Sequence, residues 1–387
     1  MKVALVHDYL REFGGAERVL EALSELYPNA PIYTAFVNKK SEAYKRFKNR
    51  KIITSWAQYV PFFVTKLHSP LRFLAPLIWG SFNLSNYDVV VSSAGWYITK
   101  GFGIKNKPIE FCYCHTPPRW LYGYKTSVQF QKYWPVKVYA NIVGKLMRKY
   151  DYDQAQKVDY FIANSNEVAG RIKKFYNRDA TVIYPPVGLP NIQNTKYEIP
   201  NTKKSDYYFI VSRLVGAKGI ELAIVASKEL GFNLKIAGTT SGYGSEFFKE
   251  ERDRLLDRRG NDSQVKFKES NIEFLGFVSD EELVRLYKNA KAFLALAQDE
   301  DFGITPVEAM QQGTPVIAYK GGGYQETVVD GKTGLFFDKQ TVQSLSDAIL
   351  RFEKMNFSPE DCRKQGERFS KERFKKEISQ FIKKHTE

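Results

Sequence analysis

Short apolar runs alternate with helix-period stretches over the first 184 residues, stop, and begin again at residue 207. The runs Val3–His7, Ile32–Phe36, Lys51–Thr54, Asp88–Ser92, Ile109–Cys114, Tyr160–Ala163 and Thr181–Tyr184 read as buried strands. Ala16–Tyr27, Val136–Lys157 and Asn166–Tyr176 read as helices between them. Strand–helix alternation of this kind predicts parallel sheets covered by helices on both faces. Pro185-Pro186-Val187-Gly188-Leu189-Pro190 and a polar stretch to Ser205 then break the pattern, since proline stiffens the chain and little there can join a core. It resumes with Tyr207–Ser212, Asn233–Ala237, Ile272–Leu275, Ala292–Ala297, Pro315–Tyr319 and Gly334–Phe337. A chain of 387 residues exceeds what one core usually holds. The expectation is therefore an α/β protein of two doubly wound, Rossmann-like domains, 1–190 and 206–370, joined by a linker over 191–205. Residues 371–387 follow as an amphipathic helix, with Phe374, Ile378 and Ile382 at helical spacing among charges. Domains of this kind take ligands outside the carboxyl ends of their strands, here in a central cleft that the two face.

Charge separates the halves. Residues 1–190 hold 27 Lys and Arg against 13 Asp and Glu, leaving 31 against 30 in the rest. A basic half beside a neutral one fits nucleic acid, anionic lipid headgroups or a phosphorylated substrate. Three cysteines argue against a disulfide framework and for a reducing compartment. No signal peptide is evident at Met1-Lys2-Val3, and no apolar run approaches the roughly 20 residues that span a bilayer. The stretch from Trp56 to Trp79 mixes aromatics, leucines and cations. It fits a membrane interface and buried helices equally well, and its place in the basic half favours the membrane.

Four places carry chemistry. Glu300-Asp301-Phe302-Gly303-Ile304-Thr305-Pro306-Val307-Glu308 follows an apolar strand, and Pro306 suits the first turn of a helix. Two carboxylates thus bracket a strand-to-helix turn whose backbone N–H groups, from Gly303 through Ile304 to Thr305, are free to seat phosphate. Arg213 and Lys218 lie just past the strand Phe209-Ile210-Val211-Ser212, where two cations can neutralise a departing diphosphate without a metal. Gly14 and Gly15 open the first long helix and permit close approach of a ligand; the dinucleotide pattern G-x-G-x-x-G is absent. His115 closes the strand Phe111-Cys112-Tyr113-Cys114 and precedes Thr116-Pro117-Pro118-Arg119-Trp120. Gly321-Gly322-Gly323 suits either a loop near a ligand or a plain turn. The Asp-x-Asp triplets at Asp151 and Asp299 are not read as metal sites, because the first falls in a predicted helix and the second overlaps Glu300.

Glu-x7-Glu with this filling, Arg-x4-Lys-Gly, the paired glycines and His115, in that chain arrangement, resemble the retaining glycosyltransferases of family 4, which have the GT-B fold. The resemblance covers nearly the whole chain. It implies transfer of a hexose from a nucleotide diphosphate sugar to a hydroxyl with retention, without a cofactor or an essential metal. Arg213 and Lys218 would hold the diphosphate, with Thr305 and its neighbours assisting. Glu300 would orient sugar hydroxyls, Glu308 accept from the ribose, and His115 position the sugar. The His-Thr-Pro-Pro-Arg-Trp run is similar to a subgroup that includes O-antigen mannosyltransferases, which implies GDP-mannose as donor and a glycan or polyprenyl-linked glycan as acceptor, with Arg119 and Trp120 as acceptor contacts. A UDP-, ADP- or dTDP-sugar donor stays open. So does a basic nucleic-acid-binding protein, although no such motif is present and nucleic acid is not expected. The expected location is cytoplasmic, on the inner face of the cytoplasmic membrane.

Overall fold

The computed structural model describes residues 1–103, 108–124, 134–189, 205–214, 218–238, 267–269 and 271–387. The chain divides into two compact units, one built from residues up to Pro186 together with Lys371–Glu387, the other from Val187–Ser370.

In the first unit seven parallel strands form one sheet: β1 (Val3–His7), β2 (Ile32–Thr34), β3 (Ile52–Thr54), β4 (Val89–Ala94), β5 (Ile109–Cys114), β6 (Tyr160–Ala163) and β7 (Ala180–Val182), in the order 3-2-1-4-5-6-7. β1 and β4 are buried at every position, which explains their unbroken apolar or small-residue runs, because helices cover both faces of such a sheet. The chain winds outward from β1 through β2 to β3, then returns to place β4 on the other side of β1. That reversal opens a crevice at the carboxyl ends of β1 and β4, the usual ligand position in such sheets. The helix Gly15–Leu26 buries Val19, Leu20 and Leu23 against the sheet. Beside it the helix Lys371–Thr386 buries Phe374, Ile378 and Ile382 completely in the same core. Lys371 and Lys375 pair with Glu25, and Arg373 Nη2 donates to the Tyr184 carbonyl at 2.8 Å.

The second unit repeats the theme with β8 (Tyr208–Val211), β9 (Leu234–Ala237), β10 (Phe267–Glu269), β11 (Ile272–Gly276), β12 (Ala292–Ala295), β13 (Val316–Tyr319) and β14 (Gly334–Phe337), ordered 10-11-9-8-12-13-14. All neighbours are parallel except β10, an antiparallel edge strand that the alternation did not indicate. Here the reversal lies between β8 and β12. Val187 already belongs to this unit: its N–H donates to Phe369 O at 2.8 Å and its carbonyl accepts from Gln311 Nε2 at 3.1 Å. The linker expected over 191–205 lies, apart from Ser205, outside the described residues.

The stretch 56–79 folds as short turns, Trp56–Tyr59, Phe63–Leu67 and Arg72–Leu74, leading into the helix Ala75–Gly80. Part of the stretch is core and part is surface. Ala57, Phe63, Ile78 and Trp79 are core, while Tyr59, Phe62 and Leu77 are 83%, 68% and 63% exposed.

Candidate functional site

In the second unit, the loop after β8 and the loop after β12 meet at the reversal. Gly219 makes this possible. Its φ is +68°, and a Cβ there would stand 2.8 Å from the Leu296 carbonyl oxygen, so only glycine lets the chain lie against the end of β12. Lys218 is thereby carried to Glu300, and its Nζ donates to Oε2 at 2.7 Å. The pair is partly open, with the two side chains 30% and 20% exposed. Tyr324 OH lies 3.4 Å from the same oxygen. Arg213 is exposed on the same loop as Lys218.

Gly303 caps the helix Ile304–Gln311 with φ +91° and supplies no side-chain acceptor for the first turn. A Cβ on Gly303 would strike the Tyr324 ring at 2.8 Å, so the helix start is fixed by packing and has no side-chain cap from Gly303. Ile304 and Thr305 there are half-buried. An uncapped helix start beside a lysine favours an anion. Glu308, one turn on, is 2% exposed and accepts from Tyr287 OH at 3.0 Å. Gly321, Gly322 and Gly323 are explained by packing. Gly322 sits at φ +54° with no room for a Cβ beside the Glu300 backbone, and Gly323 N donates to Glu300 O at 2.9 Å. They hold the Glu300 loop in place.

In the first unit, His7, Ser93 and His115 converge at the carboxyl ends of β1, β4 and β5. Strand register puts His7 opposite Ser93 and Ala94 opposite Cys114, the residue before His115. Ser93 Oγ lies 3.0 Å from His7 Nδ1 and 2.8 Å from His115 Nε2. His115 N donates to Ala94 O at 2.8 Å, and Asn164 Nδ2 donates to His115 O at 3.0 Å. Burial pushes the His115 imidazole down to about 3, with the neighbouring His7 adding in the same direction, so the ring is neutral. Arg171 Nη1 donates to Thr116 Oγ1 at 3.1 Å and steadies the following loop.

Asp8, next along from His7, is buried. It accepts from Trp96 N at 2.5 Å and from the Thr99 hydroxyl, and burial raises its carboxyl above the ordinary carboxylate value. The loop it ties down contains Ile98 at φ +59°, an unusual conformation for a β-branched residue. Gly14 N donates to Glu17 Oε2 at 2.8 Å, yet its φ of −140° suits any residue, and a Cβ would meet only that same carboxylate oxygen at 3.4 Å. Among the described residues nothing requires glycine at position 14.

Trp120 Nε1 donates to Trp96 O at 3.1 Å, and the Arg72 guanidinium lies between the two indoles, 4.8 Å and 4.9 Å from their ring centres. Arg119 beside it is half-buried. Asp151 is buried against Lys100 and accepts from Tyr122 OH at 2.7 Å, a structural anchor inside the first unit. Among the described residues no three His, Cys, Asp or Glu side chains gather as metal ligands would, and no helix is long and apolar enough to cross a membrane. His7, Ser93 and Glu17 were not singled out by the sequence; Ser93 lies 86 residues from His7 and 22 from His115, and only the strand order unites those three.

Residues 191–369 match the family model described as glycosyl transferases group 1. The chain is 27% identical over 349 residues to the alpha-1,3/1,6-mannosyltransferase ALG2 of Dictyostelium discoideum, covering 80% of this chain and 79% of that protein. It is 28% identical over 237 residues to an uncharacterized glycosyltransferase of Methanocaldococcus jannaschii, covering 60% of this chain and 59% of the relative. Among solved structures, Anabaena HepE in complex with UDP superimposes with a TM-score of 0.71 at 16% identity, over 99% of this chain and all of that one. Sucrose-phosphate synthase from Thermosynechococcus elongatus does so at 0.70 and 17%, over 99% of each chain. These likenesses establish the GT-B fold expected from the sequence and support a glycosyltransferase of the group 1 type.

Proposed function

We propose that this GT-B glycosyltransferase transfers a hexose, mannose from GDP-mannose before other donors, to a hydroxyl of a polyprenyl-linked glycan with retention of anomeric configuration. The observation that carries the reading is the Lys218–Glu300 pair at the β8/β12 reversal, beside the uncapped start of the helix Ile304–Gln311. A cation there, with Arg213 on the same loop, would offset the negative charge that builds as a diphosphate departs, and fixed N–H groups at Gly303, Ile304 and Thr305 would add to it. Glu300 orients sugar hydroxyls once Lys218 turns to phosphate, and Glu308 accepts from the ribose. His115 contacts the sugar, Gly14 and Gly15 leave room for the diphosphate, and Arg119 and Trp120 contact the acceptor. Similarity to ALG2 supports mannose over other hexoses. No metal or cofactor is needed in this scheme, so protein stripped with EDTA keeps its turnover.

The test is the thermal shift of the purified protein against GDP, UDP, ADP, dTDP and their sugar conjugates, followed by turnover with the one that stabilises it. Selective stabilisation by GDP and GDP-mannose is expected. Stabilisation by UDP compounds alone would replace the donor, and a salt-sensitive nucleic-acid gel shift with no nucleotide effect would replace the function.

The first unit also fits a cytoplasmic protein resting on an anionic membrane. Trp56, Tyr59, Phe62 and Leu77 are exposed there, and Trp56 Nε1 reaches Leu77 O at 3.3 Å, which makes Trp56 and Leu77 neighbours. On the helix Trp134–Lys157, Val138, Ile142 and Leu146 form an exposed apolar stripe beside Lys145 and Lys149. Apolar side chains bordered by cations are what such surfaces bind.

A further inference from the structure

Glu17, His7, Ser93 and His115 are joined end to end. Glu17 Oε2 accepts from Gly14 N at 2.8 Å, its Oε1 lies 3.5 Å from His7 Nε2, His7 Nδ1 lies 3.0 Å from Ser93 Oγ, and Ser93 Oγ lies 2.8 Å from His115 Nε2. His7 and Ser93 are each 1% exposed, and Glu17 is 8% exposed. Among the described residues His115 Nδ1 makes no hydrogen bond, although the ring is only partly buried.

Counting protons orders the chain. A carboxylate only accepts, so the hydrogen of a singly protonated His7 lies on Nε2, and its Nδ1 then offers a lone pair. Serine has one hydroxyl hydrogen, which must go to that lone pair. The Ser93 oxygen is then left to accept, and the hydrogen it accepts is the one on His115 Nε2. We propose that Glu17, His7 and Ser93 form a relay that fixes His115 in its Nε2-protonated tautomer, so that Nδ1 is held as an acceptor for a hydroxyl of the bound sugar. The sugar rests on the function proposed above; the tautomer does not. Burial keeps the His115 ring neutral, as the relay needs. Glu17, His7 and Ser93 are positioning residues, and through Glu17 the backbone of Gly14 belongs to the same hydrogen-bonded set.

The chain has four histidines, so the ring nitrogens of the full-length protein can be assigned by long-range ¹H–¹⁵N NMR after ¹⁵N-histidine labelling. Expected for His115 is a protonated Nε2 and a bare Nδ1 near neutral pH. Ser93→Ala should release the ring into a mixture of tautomers, and Ser93→Thr, which keeps the hydroxyl, should restore the single form. In turnover, Ser93→Ala should lower kcat by about tenfold with KM for the nucleotide sugar nearly unchanged, as loss of an interaction outside diphosphate binding should. A His115 protonated on Nδ1 in the unaltered protein overturns the relay, and that measurement holds even if Ser93→Ala fails to fold. A tautomer left single in a folded Ser93→Ala variant overturns it as well. The expected tautomers without turnover of any sugar nucleotide would leave the relay standing and remove the transferase reading.

Discussion

Lys218 and Glu300 lie 82 residues apart in the sequence and 2.7 Å apart in space, on the two loops where the second sheet reverses its winding. A pair this open adds little to stability, about 0–1 kcal/mol. Lys218→Ala should therefore leave the melting temperature nearly unchanged while lowering turnover by about 10²-fold or more, because it removes charge from a developing anion. Arg213→Ala should act in the same direction. Near-normal turnover in both variants would sink the assignment of this loop to the diphosphate.

Two glycines with opposite reasons for being glycine provide a second test. Gly219→Ala forces a Cβ toward the Leu296 carbonyl at positive φ and should destabilise by about 1–3 kcal/mol in urea unfolding, with turnover falling alongside. Gly14→Ala meets neither obstacle and should change stability by less than about 0.5 kcal/mol. Its expected effect is on KM for the donor. A Gly14→Ala variant with wild-type KM would mean that no ligand approaches that backbone.

Phe62 holds φ +60° with its side chain 68% exposed, at the start of the turn Phe63–Leu67, where its carbonyl accepts from Lys66 N at 2.9 Å and Leu67 N at 3.0 Å. Phe62→Gly should leave stability unchanged or raise it by up to about 1 kcal/mol, since glycine adopts this conformation without strain. Sedimentation with anionic liposomes should fall all the same, with donor hydrolysis unaffected. Equal sedimentation of Phe62→Gly and Trp56→Ser with the parent would remove these residues from the membrane reading.

Burial holds His115 near 3 and, with Arg11 and Arg72 adding, His68 near 4, both below the ordinary histidine value. The unfolded chain binds protons at these positions below about pH 6.5 and the folded chain does not, so stability is full above that pH and is lost as pH falls toward 4. His115→Gln should remove up to one proton from the slope, about 1.4 kcal/mol per pH unit. An unchanged slope would show that His115 ionises as readily folded as unfolded.

Much of this was legible because parallel sheets write themselves plainly. β5, β6 and β14 match their predicted runs residue for residue, since strands buried on both faces are apolar nearly throughout, with Glu110 of β5 the exception. The same alternation put His115, Lys218 and Glu300 at strand ends, where ligands bind. Pairings that depend on strand order were not legible. Ser93 looks like one more small residue in β4 until β1 and β5 are seen on either side of it. The stretch 56–79 resisted for another reason: its turns bury Phe63 and expose Phe62, so no period of two or 3.6 separates inside from outside. Gly321–Gly323 could not be explained until the backbone they press against was known.

The helix Lys371–Thr386 sets an order of assembly. Its Phe374, Ile378 and Ile382 complete the core of the first unit, so that unit stays unfinished on the ribosome until residues 371–386 emerge. The second unit, contiguous up to Ser370, is fully synthesised sooner. Until then Val19, Leu23 and Phe111 lack their final cover, and the nascent basic half is at its most vulnerable to aggregation during the interval in which its partner is being made.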